Sequence, residues 1–310
     1  MSALICGSMA YDTIMVFHDQ FKNHILPDKV HMLNVSFLVP EMRREFGGCA
    51  GNIAYNLKLL GGEPFIMATV GDDFTPYAHW LDTHVISRQY IRQIENSYTG
   101  QAFITTDRDD NQITAFHPGA MSFSHLNTIS MSKGIKIGIV SPDGRQGMID
   151  HATQFAEAGI PFIFDPGQGL PMFDGNDLKN FIKQASWITV NDYEAELLQQ
   201  RTGLTPHQIA EQVQAYIVTQ GGKGSLIYTK QHRIDIPTAT AKTVADPTGC
   251  GDAYRAGLLY GLTNELDWET TGRVAALMGT LVVEHHGTQK HQIKNSDIHA
   301  RFKEAFGYNF

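Results

Sequence analysis

Along most of the chain, short apolar runs alternate with segments that suit helices, and this alternation constrains the fold more than any other feature. The runs at residues 4–6, 65–70, 135–140, 161–164, 187–190 and 216–218 have no polar face. A strand that is apolar at every position must be covered on both sides, as in a parallel sheet flanked by helices. Most of these runs end in Gly, Asp or Asn and lead into helix-compatible segments such as 50–60, 146–158 and 193–201. The class expected is therefore α/β, with a mostly parallel sheet and helices on both faces. In such folds ligands bind at the carboxyl ends of the strands.

Two regions break the pattern. Residues 13–46 alternate with period two, most clearly at Leu33, Val35, Phe37 and Val39. Residues 98–118 contain two strand-like runs around Asp107-Arg108-Asp109-Asp110-Asn111, a hairpin signal. Both read as a small sheet inserted into one domain spanning residues 1–310.

Composition narrows the function classes. Apolar residues make up 42% of the 310 and charged residues 18%, as in an ordinary globular chain with ample material for a core. A net charge of −8 with no basic block argues against nucleic acid as the main partner, because phosphate neutralisation needs surplus Lys and Arg. No run approaches the ~18 apolar residues of a membrane span, so no membrane role is expected. The first residues lack a charged n-region and Asp12 interrupts the apolar stretch, so a signal peptide is not expected. Three scattered cysteines, Cys6, Cys49 and Cys250, suit a reducing cytoplasm better than a disulfide framework. His285, His286 and His291 have no Cys or carboxylate at ligand spacing, so no metal is expected there.

Four segments carry chemistry. The longest runs from Asp246 to Gly257: Val244 and Ala245 read as a strand, followed by a glycine turn and a helix of small residues. The backbone N–H groups of Gly249, Cys250 and Gly251 would stand at that helix start, where free donors and the helix dipole favour an anion. Asp252 is then either a general base beside a phosphoryl-transfer centre or simply a helix cap. In Phe46-Gly47-Gly48-Cys49-Ala50-Gly51-Asn52, Gly47 and Gly48 bring backbone close to a polyhydroxylated ligand and Asn52 offers donor and acceptor. Asn191-Asp192-Tyr193-Glu194 follows an apolar run and is, taken alone, an ordinary helix start. Thr219-Gln220-Gly221-Gly222-Lys223-Gly224 is a glycine loop that would also serve as a hairpin turn. No Gly-x-x-x-x-Gly-Lys-Ser/Thr is present, nor Gly-x-Gly-x-x-Gly after the first strand, which excludes a Walker-type loop and speaks against a dinucleotide fold.

Taken in this order, the motifs resemble the signatures of the PfkB-type, or ribokinase-like, family of small-molecule kinases: Gly-Gly-x-x-x-Asn, Asn-x-x-Glu, Thr-x-Gly-x-x-Gly and Asp-Thr-x-Gly-Ala-Gly-Asp. Pro247 and Cys250 depart mildly from the last. The resemblance implies a three-layer α/β/α core with a small β-sheet lid formed by residues 13–46 and 98–118. It implies ATP as donor, Asp252 as general base, and Gly249, Cys250 and Gly251 as the anion site. Asp12, Gly47, Gly48 and Asn52 would bind the acceptor, Asp12 through two sugar hydroxyls. Asn191, Thr219, Gly221, Gly224, Gly249 and Gly251 would bind the nucleotide, residues 279–288 would lie around its adenine, and Glu194 would position Mg²⁺ and its waters. K⁺ would bind near Asp246 and the carbonyls around Gly287.

The surroundings of Phe116 and of Gly47 look most like adenosine kinase-like nucleoside kinases of bacteria and archaea. Phe116 and Met121 would then flank a purine, unless both belong to the lid's own core. The acceptor expected is the 5′-hydroxyl of adenosine, inosine or guanosine. A free-sugar kinase is the alternative within the family, and an inactive ligand-binding protein the alternative outside it. Lid edges would allow a homodimer. One departure stands out: Asp165-Pro166-Gly167-Gln168-Gly169 lacks the Arg that sugar-specific relatives often carry there.

Overall fold

A computed structural model describes residues 2–25, 32, 34–109, 111–132 and 134–310. Leu33 and Asp110 therefore lie outside the described residues, as do residues 26–31 of the first lid segment.

The larger sheet contains β1 (Ser2–Cys6), β4 (Glu63–Val70), β5 (Ser87–Gln93), β8 (Ile137–Val140), β9 (Phe162–Phe164), β10 (Trp187–Asn191), β11 (Ala215–Thr219), β12 (Ser225–Tyr228) and β13 (Arg233–Ile236). Its order is β13-β12-β11-β10-β9-β8-β1-β4-β5, with every pairing parallel except those of β12. Period-two alternation sends successive residues of each strand to opposite faces. Ala3, Ile5, Ile139, Ile163 and Ile217 pack into one core. Leu4, Cys6, Val140, Phe162, Phe164 and Tyr216 pack into the other. The continuous apolar runs thus reflect two cores that share one sheet.

Helices α1 (Cys49–Leu59), α2 (Thr75–Thr83), α7 (Cys250–Thr263) and α8 (Trp268–Val283) contribute to the first core. Helices α3 (Arg145–Glu157), α4 (Gly175–Gln184), α5 (Asp192–Thr202) and α6 (Pro206–Ala210) cover the second. Helix α9 (Asn295–Phe306) closes a third cluster through Ile298 and Phe302. Among the described residues no helix is long and apolar enough to cross a membrane.

A four-stranded sheet stands apart, with order β3-β2-β6-β7, formed by β2 (Ala10–Val16), β3 (Glu41–Gly47), β6 (Gly100–Thr106) and β7 (Gln112–His117). The alternation expected at Val35, Phe37 and Val39 appears in burial, each half-buried between exposed neighbours, but the segment pairs with no strand. Phe37 instead packs on Phe17 and Phe21 at ring separations of 4.9 and 5.0 Å. The strand expected at Val244 and Ala245 does not form. Both Ala245 and Asp246 donate their N–H to the single carbonyl of Val283, so a helix end takes the place of a ladder.

Candidate active site

Five strands of the large sheet deliver residues to one end of the molecule. Ser8 follows β1, Asp143 follows β8, Asp165 and Gln168 follow β9, Asn191 ends β10, and Thr219 ends β11. The small sheet stands over this end and contributes Asp12, Ala102 and Phe116 to the wall of a cavity of ≈ 650 Å³. Gly48, Asn52, Met121, Asp143, Gln168, Met172, Gly249, Gly251, Asp252 and Thr288 are also part of the wall. A second cavity of ≈ 620 Å³ is lined by Thr219, Gly221, Gly224, Val244, Cys250, Gly251, Gly279 and Val283, among others. The two meet at Gly251, and Asp252 is the next residue.

Gly249 caps α7 with φ 82°, left-handed backbone that favours glycine, and a Cβ there would stand 3.0 Å from the Thr288 methyl. The N–H groups of Gly249 and Gly251 have no acceptor among the described residues. That of Cys250 turns back to the Pro247 carbonyl at 3.3 Å. The anion site expected from three N–H groups is thus presented by two, with the third lightly held. Asp246 braces the loop, accepting from Thr248 N–H at 2.9 Å and Gly287 N–H at 3.1 Å.

Burial pushes the Asp252 carboxyl up to about 6; a hydrogen bond from Asn52 opposes this, Asp165 adds to it, and Arg255 opposes it. Asn52 Nδ2 donates to Asp252 Oδ2 at 2.8 Å, so the two signature motifs, 200 positions apart, are in direct contact. Asp252 does not cap α7: Gly249 holds that place, and no side chain caps the helix. One turn along α7, the Arg255 guanidinium grips Asp165 with two bonds of 2.9 and 3.1 Å. Both side chains are buried, at 6% and 3% exposure. The segment Asp165-Pro166-Gly167-Gln168-Gly169, singled out in the sequence only for the Arg it lacks, receives a buried guanidinium at Asp165 from α7.

Asp12 projects from β2 with its carboxyl raised to about 6 by burial and by the charge of Glu45. Its oxygens accept no hydrogen bond from the described residues. Glu45 is satisfied separately, by Lys290 Nζ at 2.6 Å and Arg43 Nε at 3.3 Å. A Cβ at Gly47 would stand 2.3 Å from Asp12 Oδ2, which explains a glycine there. Gly47→Ala should push that carboxylate aside and raise the KM for the acceptor about tenfold, roughly one charge-assisted hydrogen bond, with kcat nearly unchanged in steady-state assays. An unchanged KM would show that Asp12 does not touch the acceptor.

Asn191 and Glu194 form a capping box at the start of α5: Glu194 Oε2 accepts from Asn191 N–H at 2.8 Å, and Asn191 Oδ1 from Glu194 N–H at 2.7 Å. Glu194 Oε1 and Asn191 Nδ2 have no partner among the described residues. Burial, then the charge of Asp165, raises the Glu194 carboxyl. Residues 279–288 divide between the cavities, with Gly279, Thr280 and Val283 lining the second and Thr288 the first.

The sequence reading missed several residues. Gln168 and Met172 line the first cavity. Buried Asp143 does so too, its carboxyl pushed to about 8 by burial against the opposing effects of the Gly144 N–H and Ser124. Gln289 and Trp80 connect to Asn52. No local pattern marks any of them.

A carboxylate between two cavities, beside free N–H donors at a helix start, is an arrangement suited to phosphoryl transfer to a hydroxyl group. Residues 9–295 match the pfkB family carbohydrate kinases, and the chain belongs to that family. It is similar to a nucleoside kinase of Methanocaldococcus jannaschii, 35% identical over 259 residues, covering 83% of this chain and 85% of that one. The structure of Burkholderia thailandensis nucleoside kinase in complex with inosine superposes with a TM-score of 0.91 and 52% identity, covering 99% of both chains. The same protein in complex with ADP-inosine gives 0.88 and 55%, covering 99% of this chain and 97% of that one. The fold is ribokinase-like, and the acceptor is a hydroxyl of a nucleoside or a sugar.

Proposed function

We propose that the chain transfers the γ-phosphoryl group of ATP to the 5′-hydroxyl of a ribonucleoside: adenosine, inosine or guanosine. The observation that carries this reading is the meeting of the two cavities at Gly251, beneath Asp252. The acceptor occupies the first cavity. Asp12 accepts from the vicinal ribose hydroxyls, the backbone of Gly47 and Gly48 lies close to the sugar, and Phe116, Met121 and Met172 pack around the base. ATP occupies the second, along Thr219, Gly221 and Gly224 and near Asn191.

Asp252 takes the proton of the 5′-hydroxyl as that oxygen bonds to the γ-phosphorus and the bond to the β-phosphate oxygen breaks, releasing ADP. The free N–H groups of Gly249 and Gly251 meet the charge of the transferring group, joined by that of Cys250 if it leaves the Pro247 carbonyl. Positioning and such preorganised donors supply most of the acceleration in this class of reaction. Glu194, with its free Oε1 in an acidic neighbourhood, suits Mg²⁺, which keeps several waters and takes few carboxylates. When bound, Mg²⁺ would neutralise β- and γ-phosphate oxygens. Asp246 joins the loops whose carbonyls would hold K⁺.

The similarity to a nucleoside kinase described with inosine supports a nucleoside over a free sugar. The test is a transfer assay with Mg²⁺-ATP against ribonucleosides, ribose and fructose. Nucleoside 5′-monophosphates are the product expected. Preference for a free sugar would overturn the acceptor assignment, and no transfer to any acceptor would overturn the reading as a whole.

A further inference from the structure

Four polar side chains run in a line from the outer helix α2 to Asp252. Trp80 Nε1 donates to Gln289 Oε1 at 2.9 Å, Gln289 Nε2 donates to Asn52 Oδ1 at 2.9 Å, and Asn52 Nδ2 donates to Asp252 Oδ2 at 2.8 Å. The second N–H of Gln289 goes to Tyr77 Oη at 2.6 Å, and the Tyr77 O–H donates to the Gly47 carbonyl at 2.8 Å. Gln289, Asn52 and Tyr77 are buried at 2%, 5% and 0% exposure. Both hydrogens of the Gln289 amide are thus committed, and its oxygen accepts from Trp80.

Chemistry fixes the direction of the line. An indole nitrogen only donates, so the atom of Gln289 facing Trp80 must be its oxygen. That turns the Gln289 NH₂ toward Asn52, which must then present Oδ1 to Gln289 and its own NH₂ to Asp252. If Gln289 were reversed, Asn52 would reverse too, and a carbonyl oxygen would face the carboxylate.

We infer that Trp80 and Gln289 are positioning residues: one indole N–H sets the polarity of two amides in series, so that Asn52 donates to Asp252, keeps it ionised and leaves its other oxygen aimed at the acceptor. This rests on the reading of Asp252 as the base. It also gives Asn52 a duty beyond acceptor binding, with a single N–H left for a ligand. The opposite effects at Asp252 make the bond consequential. Burial and Asp165 favour the neutral acid, and a hydrogen bond to the charged form opposes them. The other groups facing Asp252 are Cys49 on α1, Cys250 and Arg255 on α7, and Tyr77 on α2; Glu194 acts on Arg255. None of them changes when Trp80 does.

The experiment is the pH profile of single-turnover phosphoryl transfer to inosine for wild type, Trp80→Phe, Gln289→Met and Asp252→Asn. Phe keeps an aromatic ring beside Phe46, where the indole now stacks at 5.2 Å, and removes the donor together with part of the indole. The wild-type rate should fall as pH drops through about 6, the range in which the Asp252 carboxyl takes its proton. In Trp80→Phe and Gln289→Met this limb should move up by about one pH unit, the scale of one charge-directed hydrogen bond. Near pH 6 the variants should then be several-fold slower, and above pH 8 nearly as fast as wild type. The ionisation of ATP is common to all and cancels in the comparison. A purely structural role would lower the rate equally at every pH, or lower only the melting temperature; an unmoved limb in both variants overturns the inference. Wild-type turnover in Asp252→Asn would instead overturn the base assignment.

Discussion

Asp252→Asn should bind nucleoside about as tightly as the parent and turn it over about 10²–10⁴ times more slowly, the usual worth of a general base. The replacement removes little else. The Asn oxygen can still accept from Asn52 Nδ2, which now reaches Asp252 Oδ2 at 2.8 Å. The Arg255–Asp165 pair does not involve the residue. Losing a carboxylate from a site that already holds Asp165 also relieves repulsion. Folding should therefore be intact, and the deficit should appear in kcat. Calorimetric nucleoside binding together with steady-state turnover would separate the two. A kcat within tenfold of wild type would mean that another group takes the proton.

The second large effect concerns stability. Arg255→Met leaves the Asp165 carboxylate buried without its partner, and breaking a buried pair in this way costs about 3–5 kcal/mol. The geometry favours the upper part of that range, since two bonds of 2.9 and 3.1 Å are lost together. Adding Asp165→Leu should recover part of the loss, because an apolar pair carries no uncompensated charge. Urea unfolding of the single and double variants measures both. If the single variant costs below about 1 kcal/mol, the pair behaves like a surface salt bridge and the argument from burial fails. Activity should fall as well, since the guanidinium charge holds down the proton affinity of Asp252.

Most of the scaffold was legible because it follows local rules. The runs at residues 4–6 and 162–164 are apolar throughout, and each serves two cores on opposite faces of one sheet. Val244 misled for a tertiary reason: an apolar residue in a short run reads as strand, yet it is 76% exposed and lines the second cavity. The motif residues Asp12, Gly48, Asn52, Phe116, Gly249, Gly251 and Asp252 converge on one cavity. What the sequence reading missed is a set of long-range contacts. Trp80 meets Gln289 across 209 positions, and Asp165 meets Arg255 across 90. A Gln after a Gly-Thr pair and an Arg inside an apolar helix carry no periodic or spacing signal of their partners. Such contacts arise only when the topology brings distant segments together.

The interior place of β1 in the sheet bears on biosynthesis. This first strand lies between β8 and β4, so a growing polypeptide holds it unpaired until residues beyond 60, and then beyond 130, have left the ribosome. Loop closures of that length slow folding. The line of amides behind Asp252 cannot be completed before residue 289 emerges. A nascent chain thus exposes apolar strand edges through most of its synthesis, a period in which chaperones would have surface to hold. The cavity wall around Asp252 is among the last parts to take shape.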